Sequence, residues 1–323
     1  MKKTAPIVLL IVAAVAAISV GSSQVEGFWS ALLNPGSNEI VWQIRFPRVM
    51  AAVIVGAALG IAGLMAQGAC NNAIAEPAIL GTAAGASFGA VAGIATGLVQ
   101  VGSLAALAFG TAGALLATSI TFKLAALRGA LSSFNLIIVG IAVSAIFTSL
   151  VGITSAVLNR ADARSISFWS LGSLALVTNE NLLGLIITTL AGGVIAWFIA
   201  PMLDRLSLGD HSAFHLGVNV PRVRLLALIS LSLLAGGAVS TVGVIAFIGL
   251  AAPHIARFIY GPSHRALTIH SAIIGAFIVL VADTLARTIA QPNELPIGLA
   301  TALIGAPVLI ALVSVKNNVW RTQ

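Results

Sequence analysis

The sequence contains very little charge and only one cysteine. Asp, Glu, Lys and Arg make up 8% of the 323 residues, whereas a water-soluble domain carries about 25%. Hydrophobic residues make up 59%, and the mean hydropathy is +1.08. We therefore expect most of the chain to lie in lipid. Because Cys70 is the only cysteine, no disulfide can form within the chain.

The apolar runs also lack the alternation of polar and apolar residues that a membrane β-barrel requires. The 32 glycines instead favour helices packed closely in a bilayer. We predict an all-α polytopic membrane protein in which residues 1–323 form a single transmembrane domain. The net charge of +7 does not indicate nucleic-acid binding, because the basic residues stand at the ends of apolar runs, as topology signals do.

The charge-free runs predict the membrane spans, since about 20 apolar residues cross the hydrocarbon core. These runs are 4–25, 49–75, 77–122, 129–159, 181–203, 225–256, 266–282 and 295–315. The run 77–122 holds two helices with a turn at 97–103, and the run 225–256 is either one long helix or is broken near 240–244. Ten spans place both basic ends of the chain on the same side, as the positive-inside rule prefers. We therefore predict ten transmembrane helices with both termini cytoplasmic, the first of them uncleaved.

This orientation places most basic residues inside. The cytoplasmic set is Lys2, Lys3, Lys123, Arg128, Arg205, Arg222, Arg224, Arg257, Arg265, Lys316 and Arg321, and the outer set is Arg45, Arg48, Arg160, Arg164 and Arg287. Arg45 and Arg48 flank Pro47, which fixes the backbone where the second span begins. A guanidinium group binds carboxylate bidentately, so these outward arginines suit an acidic partner. The alternative is that they anchor the helix at the lipid headgroups.

Two features that would supply energy are missing from the sequence. It has no GxxxxGK[ST] motif and hence no P-loop with which to hydrolyse ATP. We also predict no ionisable residue in the middle of a span, since Asp283 is placed near an outer end and Glu76 in a cytoplasmic loop. Ion-coupled carriers usually have such a residue. Secondary transport is therefore disfavoured, and the energy is expected to come from another subunit.

The segment 206–224 is the largest predicted cytoplasmic feature. It is expected to form a short helix that Asp210 caps at its N-terminus and Gly217 ends. Such a helix either docks a soluble motor or lies on the lipid surface. The polar stretch 67–72 at the cytoplasmic end of the second span could close a pore. Glycines recur every four residues at Gly81, Gly85, Gly89, Gly93 and Gly97, and again at Gly56 and Gly60, which predicts close helix packing.

Several motifs occur in one order between about residues 40 and 314. They are RFPR (45–48), GAALGIAGLMAQ (56–67), AEPAILG (75–81), GASFGA (85–90), SFWSLGSL (167–174), SLGD (207–210), LGV (216–218), IAFIGLAAPHIAR (245–257), HR (264–265), ADTLAR (282–287) and ELPIGLATALIGAP (294–307). With these motifs the chain resembles the permease subunits of ABC importers for iron-siderophore complexes, haem and vitamin B12. Ten helices per subunit is also the architecture that this resemblance implies.

The resemblance assigns roles to particular residues. It implies that Arg45, Arg48 and Arg287 meet glutamates of an extracytoplasmic binding protein. It implies that Ser207, Gly209, Asp210, Leu216 and Gly217 contact an ATPase subunit. It places a cytoplasmic gate at Asn72 and Ile74, in a loop that reads NAIA (72–75) where the family commonly reads N-P-L-A, and we add Ser144 and Thr148 to the gate and pathway.

The implied assembly is a permease of the cytoplasmic membrane that pairs with a second copy or a paralogue. Two ATPase subunits hold the ATP and Mg²⁺, and this chain itself binds no cofactor or metal, performs no covalent chemistry and has no nucleic-acid partner. The expected cargo is a ferric siderophore, with haem and cobalamin as alternatives. An ion-coupled secondary transporter is the alternative from another class.

Overall fold

The computed structural model describes residues 5–21, 27–100, 102–127, 132–175, 177–289 and 293–307, and within these ranges it contains helices and no strand. The helices are α1 (Ala5–Ser19), α2 (Phe28–Leu33), α3 (Phe46–Ala69), α4 (Thr82–Ala95), α5 (Leu104–Ala126), α6 (Ser133–Val157), α7 (Arg160–Ser170), α8 (Asn179–Leu206), α9 (Asp210–His215), α10 (Val220–Val242), α11 (Ile248–Tyr260), α12 (His264–Ile289) and α13 (Ile297–Pro307). A π-helical segment, Ile40–Arg45, leads directly into α3. The all-α prediction is confirmed.

Six of these helices are long and apolar enough to cross a membrane: α3 with its π-helical lead-in, α5, α6, α8, α10 and α12. The apolar helices α1, α4 and α13 are shorter over their described residues, and α11 has 13 residues, about 20 Å of helix. The turn predicted at 97–103 and the break predicted near 240–244 are both present, since α4 and α5 are separate helices and α10 ends at Val242. The total of ten spans stays a prediction.

The helices α3 and α10 form the centre of the bundle. Each has 78% of its most apolar window buried, and α3 packs against α8, α10, α11 and α12. The hairpin of α4 and α5 packs against α10 and α6. By contrast, α6 buries only 22% of its window within this chain. One long apolar helix therefore has most of its surface facing away from the bundle.

Close backbone contacts between helices depend on glycine. A Cβ atom on Gly56 would lie 2.3 Å from the Gly275 carbonyl oxygen, and one on Gly60 would lie 2.2 Å from that of Ser271. Both positions hold α3 against α12. In α4, Gly85 and Gly89 contact the backbone of α5 in the same way, whereas Gly81 and Gly97 lie outside the helix. The prediction of close packing is confirmed for the glycines within α3 and α4.

Residues 70–81, which we call the gate segment, turn back along α3 after that helix ends. The Pro77 side chain packs on Gly249 of α11, and Gly249 also contacts Gly63 of α3. Gly63 is six residues from the end of α3, about 9 Å along its axis. The chain between α3 and α4 therefore re-enters the bundle.

This course of the chain corrects the placement of Glu76. Glu76 Oε1 accepts a hydrogen bond of 3.1 Å from the Phe247 backbone N–H at the start of α11. The sequence predicts Glu76 in a cytoplasmic loop, whereas the structure holds its side chain inside the bundle. Counting apolar runs failed here because that method assumes that the chain leaves the membrane after every span.

Candidate functional site

A cluster of arginines and carboxylates lies where α3, α12 and the residues before α13 meet. Arg48 Nε and Nη2 donate to Asp283 Oδ1 over 3.0 and 2.9 Å, and Arg48 Nη1 donates to Glu294 Oε1 over 2.8 Å. Only 1% of the Asp283 side chain is exposed. Arg287 lies one helical turn after Asp283, with Nε 3.6 Å from its Oδ2. Asp283 is therefore shared by two guanidinium groups.

The other contacts of this cluster secure α1. Arg45 Nη1 donates to the Ile18 carbonyl oxygen over 2.9 Å, and Arg287 Nη1 donates to that of Val20 over 2.6 Å. Carbonyls in the last turn of a helix lack donors within the helix, and the negative end of the helix dipole favours cations there. Both arginines therefore stabilise the end of the first helix.

The structure brings together Arg45, Arg48 and Arg287, the three predicted docking residues. They line one cavity of about 290 Å³ together with Glu294. Arg45 is 4% exposed and Arg287 is 7% exposed, so the arginines that the sequence predicts to meet a partner are largely buried within this chain. Internal carboxylates and carbonyls cover them. Their contact with an outside partner stays a prediction, and the cavity is the place where a partner's carboxylate could reach them.

Sequence reasoning missed several residues of this cluster. From the sequence, Asp283 only marks an outer end of a span and Glu294 only belongs to a motif, although the i, i+4 spacing of Asp283 and Arg287 favours an ion pair. No sequence motif includes Gly21. A Cβ atom on Gly21 would lie 2.5 Å from Arg45 Nη2, so a larger residue there would displace the guanidinium group.

At the other end of the bundle, α9 forms the short helix predicted within 206–224. Gly209 and Gly217 bound it with φ angles of 95° and 78°, values that a residue with a Cβ atom rarely adopts. Gly217 ends the helix as predicted. Asp210 does not cap it, however, because Gly209 is the N-cap residue and makes no side-chain cap. The Asp210 carboxylate instead binds Arg224 of α10 over 2.8 Å.

The surface around α9 is apolar and open. Leu208 is 63% exposed, Phe214 is 71% exposed and Leu216 is 51% exposed. Ser207 is the C-cap residue of α8, and it donates its hydroxyl to the Asp204 carbonyl oxygen over 2.7 Å. The predicted coupling residues thus form one continuous feature between α8 and α10.

The predicted gate residues lie in a tight turn directly after α3. Asn72 Oδ1 accepts a hydrogen bond of 2.9 Å from the Ile74 N–H, and the Asn72 N–H binds the Gln67 carbonyl oxygen over 3.0 Å. Ile74 is 65% exposed. The asparagine side chain therefore fixes the turn, as Asx turns do.

One of the two residues proposed for the pathway also contacts the gate segment. Ser144 of α6 donates to the Ala78 carbonyl oxygen over 2.7 Å. Thr148 lies one turn further along α6 and is exposed. The structure thus brings Ser144 to the gate segment and leaves Thr148 on the open face of α6.

A second cavity, of about 270 Å³, connects the gate and coupling regions. Its polar lining residues include Gln67, Asn72, Ser207, Arg257 and His264. Asn72 was predicted as a gate residue and Ser207 as a coupling residue. The end of α8 and the gate segment are therefore neighbours across one cavity.

These features define a class of protein. Apolar helices form a bundle with an arginine–carboxylate cluster at one end of α3 and α12, and with an exposed short helix beside the opposite end of α3. A chain that re-enters the bundle and a helix that starts inside it are features of membrane transport proteins. The protein is thus a polytopic membrane transport protein.

The chain belongs to the FecCD transport family, whose pattern it matches over residues 7–315. It is 37% identical over 278 residues to the iron(3+)-hydroxamate import system permease protein FhuB of Bacillus subtilis, covering 83% of this chain and 71% of that protein. It is also 37% identical over 268 residues to the ferric enterobactin transport system permease protein FepD of Escherichia coli, covering 80% and 79%.

A solved structure has the same fold. It is described as an ABC transporter of the metal-chelate type in an inward-facing conformation, and it superposes with a TM-score of 0.83 at 29% identity, covering 96% of this chain and 97% of that chain. Together with the family match, this similarity identifies the protein as a transmembrane permease subunit of an ABC importer in the cytoplasmic membrane, and not as an enzyme.

Proposed function

We propose that this permease forms the pathway for a ferric siderophore or a related metal chelate. The observation that carries the proposal is the whole-length similarity to a transporter of the metal-chelate type. The two relatives described above are permeases for an iron hydroxamate and for ferric enterobactin. Haem and cobalamin remain the alternative cargoes, since the sequence motifs are shared with permeases for both.

The open face of α6 supports pairing with a second permease subunit. Ile141 and Ile146 on this helix are 54% and 58% exposed, and the hydroxyl groups of Ser144 and Thr148 accompany them. Hydroxyl groups on an otherwise apolar face suit a pathway between two subunits better than contact with lipid alone. In our proposal the partner is a second copy or a paralogue, each subunit has ten spans, and both termini lie in the cytoplasm.

We assign α9 to the contact with an ATPase subunit. The exposed side chains of Leu208, Phe214 and Leu216 supply an apolar surface at the end of the bundle opposite the arginine cluster. Two ATPase subunits would bind the two copies of this helix and would hold the ATP and Mg²⁺. The permease then converts their closure into movement of its helices, with no covalent chemistry of its own.

The cargo is tested by reconstituting the permease in proteoliposomes with its ATPase and its binding protein. We expect a ferric hydroxamate or catecholate chelate, offered as the iron-55 complex, to enter the vesicles with ATP and to stimulate hydrolysis more than haemin or cobalamin does. Stimulation by cobalamin alone would contradict the proposed cargo. Uptake driven by a proton or sodium gradient without ATP would support the secondary transporter instead.

The cluster around Arg48 is proposed to receive the binding protein, and Glu294 offers a test that leaves the buried contacts in place. The three arginines outnumber Asp283 and Glu294 by one charge, so the cavity favours an acidic partner. The Glu294 side chain is 43% exposed, and Glu294→Gln should therefore speed capture of the loaded binding protein about two- to fivefold at low salt. The measurement is the association rate on immobilised permease at two ionic strengths.

Two further results complete this test. The gain in association rate should shrink as the salt concentration rises, because exposed charges are screened. The control is Arg205→Gln, which removes an exposed charge in the last turn of α8, at the opposite end of the bundle, and should leave the rate unaltered. If Glu294→Gln slows capture or has no effect at low salt, the cluster serves only to hold the permease together.

A further inference from the structure

Arg224 is the largest fully buried side chain among the described residues, and it lies at the α9 end of the bundle. It is 1% exposed, and it is the fifth residue of α10. Its guanidinium group binds both carboxylate oxygens of Asp210, with Nη1 at 2.8 Å from Oδ2 and Nη2 at 2.9 Å from Oδ1. A bidentate ion pair of this kind fixes both the distance and the orientation of the carboxylate relative to the guanidinium group.

The same guanidinium group binds two further elements. Its Nε donates to the Ala69 carbonyl oxygen over 2.9 Å, and its Nη2 donates to Ser133 Oγ over 3.1 Å. Ala69 is the last residue of α3, directly before the gate segment. Ser133 is the first residue of α6, the helix whose Ser144 binds the gate segment. One side chain thus contacts α9, the end of α3 that leads into the gate segment, and α6, which binds that segment.

We propose that Arg224 is the positioning residue that transmits movement of α9 to the gate segment. This inference rests on the proposed role of α9 as the ATPase contact. When an ATPase subunit moves α9, Asp210 carries the guanidinium group with it. The guanidinium group then pulls on the end of α3 and the start of α6 together. Lysine cannot replace it, since an ammonium group lacks the planar fork that binds three elements at once.

The native cysteine reports on this arrangement. Cys70 follows Ala69 directly and is fully buried. Burial raises the pKa of the Cys70 thiol to about 12, although the nearby Arg224 acts to lower it. Because the thiolate is the reactive form, the wild-type thiol should react very slowly with a maleimide at neutral pH. Its reaction rate therefore measures how firmly the end of α3 is held.

The main test is Arg224→Lys in the assembled transporter. We expect Cys70 to react with N-ethylmaleimide about tenfold faster, because a charged hydrogen bond to the Ala69 carbonyl is lost. Uptake should fall about tenfold, while ATP hydrolysis by the assembled complex stays within about twofold of wild type. Arg222→Lys is the matched control, since Arg222 is an exposed arginine in the same turn of α10. It should leave the Cys70 rate unaltered.

A second variant tests the proposal if the transporter that carries Arg224→Lys does not assemble. Asp210→Asn alters a half-exposed side chain and leaves the Arg224 contact with Ala69 in place, so it should lower uptake relative to hydrolysis with Cys70 still protected. Normal uptake in Asp210→Asn, or an unaltered Cys70 rate in a folded Arg224→Lys protein, would overturn the proposal. If α9 were not the ATPase contact, the Cys70 rate would still rise in Arg224→Lys, and only the uptake measurements would fail.

Discussion

Asp283→Ala is expected to cost the permease most of its folded stability. The substitution leaves Arg48 and Arg287 close together in a buried site without the carboxylate that they share. Removing one partner of a buried ion pair typically destabilises a protein by about 3–5 kcal/mol, and here two guanidinium groups lose the carboxylate that they share, although Arg48 keeps its contact with Glu294. We expect the purified protein to aggregate at a much lower temperature, as measured by size-exclusion chromatography after heating in detergent.

Glu294→Gln serves as the control for this experiment. It alters the other carboxylate on Arg48, but that carboxylate is partly exposed and its loss should cost less than about 1 kcal/mol. Asp283→Asn should fall between the two, because it keeps the shape of the side chain and part of the hydrogen bonding. If Asp283→Ala proves as heat-stable as Glu294→Gln, the buried cluster does not hold α3, α12 and α13 together.

Gly63→Ala should prevent α11 from packing against α3. The new Cβ atom would lie 1.8 Å from the Gly249 carbonyl oxygen, and neither backbone can turn away as a side chain could. Overpacking usually costs about 1–3 kcal/mol when side chains can adjust, so the cost at this backbone contact should exceed that range. We expect little folded protein and no ATP-dependent uptake, measured as monodisperse yield and vesicle transport.

The matched substitution is Gly193→Ala in α8. The nearest atom to a Cβ at Gly193 is Ile61 Cδ1 at 4.0 Å, an ordinary contact distance. Alanine also favours a helix over glycine by about 1 kcal/mol, so this variant should fold at least as well as wild type. Equal yields of the two variants would show that α11 can separate from α3 without loss of the fold.

The sequence predicted the helices well where hydropathy alone determines their positions. The apolar runs located the long helices, but the length of the run 225–256 left open whether it was broken near 240–244, and the break was favoured only because ten spans place both basic ends on one side. The sequence could not show that the gate segment turns back along α3, because Pro77 packs on Gly249 across more than 170 residues. Glu76 was misplaced for the same reason. Because Glu76 lies inside the bundle, the predicted lack of a buried carboxylate does not distinguish this permease from an ion-coupled carrier. Membership of the FecCD transport family does.

The charged residues at both ends of the bundle likewise have contacts that the sequence could not predict. The outward position of Arg45 and Arg48 was inferred from charge balance, but the partners of Arg48 lie 235 and 246 residues away and no local pattern links them. Asp210 has the residue type and position of a helix cap. Its carboxylate binds Arg224 instead. A carboxylate that pairs with a buried guanidinium group stabilises the protein more than the same carboxylate would by capping the start of a helix.

The contacts at the end of α1 have a consequence for the order in which the chain enters the membrane. Arg45 reaches the Ile18 carbonyl from 27 residues away, so that bond can form as soon as α3 has left the ribosome. The bond from Arg287 to Val20 joins residues 267 apart and must wait until α12 has been synthesised. The end of α1 is therefore fully fixed only after α12 has been synthesised, and a chain truncated before α12 would hold it through Arg45 but not through Arg287.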